Sequence, residues 1–227
     1  MIIQWVHFKY VSKLIHFVVF LISVFSIEIM AEVEKDRFSE VFKKYNKSSL
    51  VSMDISKKVK SEILGTEKIQ TGKLYFSNEK FRITFFEPQK EMIIYDGKTL
   101  WTEQILGSSA SEKIQVGKLK ITEANKSQIL LSVLFDNMFF LKNFKRISTV
   151  KKGNLFIYSF KPLNSDLNIL KLSMSVQDID QSIVSITYED DLNNQTELDF
   201  LNVIFSTQKQ PDLFKYNPPK KAEVSNL

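Results

Sequence analysis

The chain of 227 residues predicts a mainly β protein with two or three helices (α+β), built as a curled antiparallel sheet whose open side the helices cover. Three observations carry this. Gly72 to Trp101 reads as four short strands joined by three tight turns. Lys145 to Ile204 reads as five more strands with hairpin-type connections, the pattern of an antiparallel meander. Two segments with helical spacing have no bundle partner, so their apolar stripes need a sheet to lie on.

In order, Met1 to about Ala31 predicts a secretory signal, with cleavage near residue 26 or 31. Lys9 and Lys13 supply a positive start, and Leu14 to Ile27 is an apolar run shorter than the about 20 residues of a membrane-spanning helix. The competing reading is a retained anchor, because Trp5, Val6, Phe8 and Val11 extend the apolar character upstream. Residues 32–227 then form one domain. Glu34 to Asn46 is an amphipathic helix, with Phe38, Val41, Phe42 and Tyr45 recurring on one stripe. Ser48 to Lys60 alternates, Val51, Met53 and Ile55 against Leu50, Ser52 and Asp54. Glu67 to Phe76 is the next strand.

Within the central stretch, Ser77-Asn78, Glu87-Pro88 and Asp96-Gly97 mark the turns. A two-residue Asp-Gly loop favours positive φ at both central residues. Phe81, Ile83 and Phe85 point one way, Arg82 and Thr84 the other. Met92 to Tyr95 is nearly all apolar, which predicts burial on both faces or an apolar space beside one of them. Thr99 to Glu103 completes the hairpin. A strand near Lys113 to Lys118 follows, then a helix over Ser127 to Phe135 with Leu130, Val133 and Leu134 on its stripe, and a short helical segment over Asn137 to Phe144. The last strands are Lys145–Lys151, Leu155–Pro162, Leu170–Val176, Ile183–Tyr188 and Glu197–Ile204. After Pro211 the chain carries Leu213, Phe214 and Tyr216, then polar residues expected to fray.

Composition narrows the function. There is no Cys, and both histidines, His7 and His16, lie in the leader. A mature chain without them has no usual zinc site, no Ser-His-Asp triad and no imidazole acid–base catalyst. An enzyme is not expected, nor is a metal or cofactor. Asp178, Asp180, Glu189, Asp190 and Asp191 lack the glycine turn and alternating ligands of a calcium loop and read as solvated turns. Lys57, Lys58 and Lys60 read as a solvated strand end. The net charge of +5 falls to +4 without Lys9, Lys13 and Glu28. That is a weak field without a dense basic patch, so nucleic acid is not an expected partner. The 19 phenylalanines are the unusual feature. A curled sheet with a Phe-rich face either fills with its own side chains or holds an apolar ligand.

Three passages resemble the periplasmic outer-membrane lipoprotein carriers of the LolA type. They are the series Gly72, Leu74, Phe81, Arg82, Pro88 and Asp96 to Trp101 (DGKTLW); Gln128 to Phe135 followed by the meander; and the ending Asp212-Leu213-Phe214 with Asn217-Pro218-Pro219. The resemblance implies an unclosed β-barrel with a helical lid and a hydrophobic cavity. That cavity would shield lipoprotein acyl chains on the way from an inner-membrane ABC transporter, the donor, to an outer-membrane acceptor. It implies a periplasmic, monomeric, non-enzymatic carrier. The family's acceptor, LolB, begins with a lipid-modified Cys, which this chain lacks. A sensing module of the same fold, or a carrier of another periplasmic lipid, is the alternative.

Under this reading Phe81, Ile83, Phe85, Ile93, Tyr95 and Trp101 line the acyl-chain cavity, and Leu130, Val133 and Leu134 belong to the lid. On strand pattern alone the first set reads as ordinary core. Phe81 matches the family's cavity-mouth Phe. Many members also carry an Arg in the turn before that strand, tied to holding the lid closed. Ser77 and Asn78 stand there in this chain, and the role does not transfer to Arg82, whose strand parity differs.

Overall fold

The computed structural model describes residues 37–77, 80–107, 112–122, 137–163 and 167–227. Contacts divide the chain into Met1–Glu40 and Val41–Leu227. The predicted signal, the helix over Ser127 to Phe135 and Asn78 lie outside the described residues.

Twelve strands form one sheet: β1 (Leu50–Ser61), β2 (Thr66–Ser77), β3 (Lys80–Glu87), β4 (Glu91–Tyr95), β5 (Thr99–Leu106), β6 (Lys113–Lys120), β7 (Phe144–Lys152), β8 (Leu155–Pro162), β9 (Ile169–Gln177), β10 (Ile183–Asp190), β11 (Gln195–Ser206) and β12 (Glu223–Asn226). Their order is β12-β6-β5-β4-β3-β2-β1-β11-β10-β9-β8-β7. Two meanders are thus joined where β1 pairs β11, Leu50 opposite Ser206 and Lys60 opposite Gln195. Among the described residues β7 and β12 remain the two edges, so the curled sheet is unclosed. Bulges help to bend it. One lies between Ser52 and Asp54 against β11, where Asn202 takes a φ of 52°, and another at Thr71/Gly72 against β3.

Gly72 is demanded by that second bulge. A Cβ there would lie 2.1 Å from the Thr84 carbonyl oxygen and 2.8 Å from the Phe85 Cα, with backbone on the receiving side. The β4–β5 turn departs from the expectation. Gly97 has a φ of 95°, while Asp96 is not in the left-handed region. The Asp96 amide donates to the Thr99 carbonyl, so Gly97 and Lys98 are the central residues. The Asp96 carboxylate accepts from the amides of Lys98 and Thr99, both at 2.8 Å. A side-chain acceptor therefore shapes the turn in place of a second positive φ.

Helix α1 covers 37–47, and from Val41 onward its stripe of Val41, Phe42 and Tyr45 is buried. Helix α2 (Asn137–Asn143) is short and leads directly into β7. Asp190 fastens its own turn. The Asp190 carboxylate accepts from the amides of Leu192 and Asn194 and from the Asn194 side chain.

The C-terminal residues do not fray. Pro211–Phe214 is a turn of 3-10 helix with Phe214 buried, and β12 pairs in parallel with β6, Glu223 opposite Gln115 and Asn226 opposite Lys118. Unpaired backbone groups on the edge of β6 offer hydrogen bonds that polar side chains do not forbid.

Candidate functional site

Alternation divides the sheet into an inner face, carrying Val51, Met53 and Ile55, and an outer face. Following the register across strands, Leu74 and Phe76 on β2 join the inner set, opposite Met53 and Val51. Phe81 lies opposite Phe76, and Ile83 opposite Leu74. On β4, Tyr95 faces Phe81 and Ile93 faces Ile83. The inner face of β1 to β4 is thus a continuous apolar surface, with Val51, Met53, Leu74, Phe76, Phe81, Ile83, Phe85 and Tyr95 all buried. The rings of Phe81 and Tyr95 are 5.8 Å apart.

Five of the six residues predicted for the cavity, Phe81, Ile83, Phe85, Ile93 and Tyr95, therefore share this face. Trp101 does not. It pairs with Ile94, and Ile94 pairs with Arg82, so Trp101 is on the outer face. The reason is parity. Any β4–β5 loop with an even number of residues sets an odd-numbered β5 residue opposite an even-numbered β4 residue. The Asp-Gly turn signal already contained that information. Leu130, Val133 and Leu134 lie outside the described residues.

The far half of the inner face is filled. Phe160 and Phe144 each place a ring 4.9 Å from Phe140 of α2, and Phe42 of α1 is 5.6 Å from the same ring. Tyr45 lies edge-on to Phe205 at 5.1 Å, and its hydroxyl accepts from the Ile183 amide at 3.1 Å. Burial pushes the Tyr45 phenol far above its ordinary pKa. It stays neutral and anchors α1 over β10.

The outer face of β3 to β5 is closed by the segment around residues 211–216. The Arg82 guanidinium donates to the Leu213 carbonyl at 3.4 Å and lies 3.1 Å from the Met92 sulfur. Trp101 stacks obliquely on Tyr216 at 5.4 Å, and the Tyr216 hydroxyl donates to the Glu103 carboxylate. Arg82 is thus not part of the apolar face but is tied to the 211–216 segment.

Toward the hairpin end of β1 and β2 the inner face turns polar. Lys57 follows Ile55 on the same parity and sits between Gln70 on β2 and Leu198 on β11. Gln70 is 4% exposed and donates to the Glu91 carboxylate at 2.9 Å. Glu91 is itself opposite Phe85. Lys57 is therefore not part of a solvated strand end: its parity with Val51, Met53 and Ile55 points it inward. Beyond β4, a cavity of about 400 Å³ lies against β5, β6 and β12, lined by polar groups such as Thr102, Gln104, Gln115 and Glu223. None of the six predicted residues borders it. Among the described residues there is no cluster of ligands able to hold a metal.

A family model described as outer membrane lipoprotein carrier protein LolA matches residues 46–217. An outer-membrane lipoprotein carrier protein of Chromobacterium violaceum is 25% identical over 183 residues, spanning 78% of this chain and 81% of its own. Among solved structures, an uncharacterized conserved protein from Thermus thermophilus aligns over 83% of this chain and 98% of its own at 11% identity and a TM-score of 0.48. A LolA superfamily protein from Nitrosomonas europaea aligns over 78% and 97% at 10% identity and a TM-score of 0.41. With the family model spanning most of the chain and the open sheet matching its expected architecture, the chain belongs to the outer membrane lipoprotein carrier protein LolA family.

Proposed function

We propose that the protein is a periplasmic carrier that takes up lipoprotein acyl chains against the inner face of β1 to β4 and ferries them from an inner-membrane donor to an outer-membrane acceptor, acting as a monomer and without catalysis. The observation that carries the reading is the continuous apolar surface from Val51 to Tyr95, with Phe81 and Tyr95 at its β3–β4 end. Each CH₂ removed from water contributes about 0.8 kcal/mol, so an acyl chain of ordinary length needs such a surface to cross an aqueous space. Release follows from transfer to a better acceptor, since the bond between cargo and lipid stays intact.

The test is native mass spectrometry with lipid extraction on protein purified from the periplasm without detergent. Co-purified acylated protein, lost in Phe81→Glu, is the expected result. An empty protein that also ignores added lipoprotein and phospholipid would sink the carrier reading.

A further inference from the structure

Lys57 is out of keeping with its surroundings. Its strand neighbours on the same face, Ile55 and Met53, are buried, as are its cross-strand neighbours Gln70 and Leu198. The residue is half-buried, yet among the described residues its ammonium makes no hydrogen bond and no ion pair. Burial pulls its pKa below the ordinary lysine value; Glu91 opposes this and Lys68 adds to it. Gln70 offers the second polar group, held in place by its bond to Glu91. Half-burying an ammonium costs stability unless something repays it. An oxygen acceptor arriving with a ligand would do so, since a lysine is donor-only.

We propose that Lys57 and Gln70 form a head-group subsite at the polar end of the inner face, which binds an oxygen acceptor attached directly to an acyl chain, either an ester carbonyl or an ionised carboxylate or phosphate. This rests on the carrier reading and adds to it a fixed direction for the cargo. Tails lie over Phe85, Ile83 and Phe81, in that order away from Glu91, and the head lies toward the β1–β2 hairpin. Glu91 disfavours a second anion at its own position, so Lys57 and Gln70, not Glu91, take the acceptor.

The experiment measures displacement of a fluorescent acyl probe from the full-length purified protein by three ligands with the same tail: dodecanoate, methyl dodecanoate and dodecyltrimethylammonium. The wild type is expected to bind the first or both of the first two about tenfold more tightly than the cationic amphiphile, the size of one charge-assisted hydrogen bond. Lys57→Met removes that preference and Lys57→Arg keeps it. Loss for dodecanoate alone assigns an anionic oxygen; loss for both assigns the carbonyl. Gln70→Leu shows a smaller loss in the same direction. Thermal melting provides the fold control, with Lys57→Met melting no lower than wild type because a half-buried charge has been removed. Equal binding of all three ligands by the wild type, or an unchanged preference in Lys57→Met, overturns the subsite while leaving the carrier reading standing. Failure of the wild type to bind any of the three overturns the carrier reading, and the subsite with it.

Discussion

Phe81 and Trp101 stand on strands separated only by β4, and both are large aromatic residues of the same hairpin series, yet they do different things. Phe81 belongs to a mostly apolar surface, continuous from Val51 to Tyr95. Trp101 belongs to a latch. Its ring meets Tyr216, whose hydroxyl is held by Glu103, while Arg82 ties the Leu213 carbonyl to the same face. Directional polar bonds give the outer face one fixed partner, the chain's own tail. The inner face of β1 to β4 presents mostly apolar side chains up to Gln70 and Glu91, and dispersion and hydrophobic contact there accept any apolar shape. A sheet can thus be locked on one side and adaptable on the other, with alternate residues of a single strand serving each.

The comparison breaks most severely at the bulge that bends both faces together. Gly72→Val forces a side chain into the Thr84 carbonyl, and backbone cannot yield cheaply. A loss of about 3 kcal/mol or more is expected, seen as a fall in the urea midpoint or in soluble yield. Next comes the latch alone. Trp101→Ala is expected to cost about 2 kcal/mol, less than the truncation of a fully buried aromatic, because Trp101 is half-buried. Hydrogen exchange should rise over residues 211–227, while acyl-chain binding stays near wild type. If binding falls as far as in Phe81→Glu, the division between the faces is wrong.

Tyr216→Phe sharpens the same point with a smaller effect, about 1 kcal/mol for one hydrogen bond. Burial first, and then Glu103, hold the Tyr216 phenol above its ordinary pKa. A raised folded pKa means stability that is complete below about pH 10, the unfolded value, and is lost as pH climbs from there toward the folded value. Wild type should therefore lose midpoint above pH 10 by more than Tyr216→Phe does, in denaturation followed across that range. The smallest effect expected is Asp96→Ala. It removes the acceptor for two turn amides at a solvent-accessible turn, where water replaces it, so it costs about 0.5 kcal/mol and leaves both faces in place, read as a slight fall in melting temperature with unchanged lipid binding.

Much of this was legible in the chain. The period-two alternation of Phe81-Arg82-Ile83-Thr84-Phe85 and of Val51, Met53 and Ile55 reports which residues share a face, because a strand's side chains alternate whatever surrounds them. Hairpin pairing of β2 through β5 and of β7 through β11 follows from turns only a few residues long. Trp101 was readable too, through loop parity, but only by counting across the turn instead of judging the residue by its size. Lys57 was not readable as a site by residue type, since a lysine near a strand end is usually solvated.

What the sequence by itself determined is local: strand positions, face parity and most of the turns, all set by interactions between residues near one another in the chain. The tertiary structure alone decided the rest. It joined β1 to β11, Leu50 opposite Ser206, laid β12 in parallel on β6, and closed the outer face with Leu213 and Tyr216. Such pairings depend on which edge is left unsatisfied once the hairpins have formed, and no short-range pattern encodes that. Lys57 became half-buried for the same reason: its surroundings come from Gln70 and from Leu198, a strand more than half the chain away, and burial belongs to the neighbours as much as to the residue.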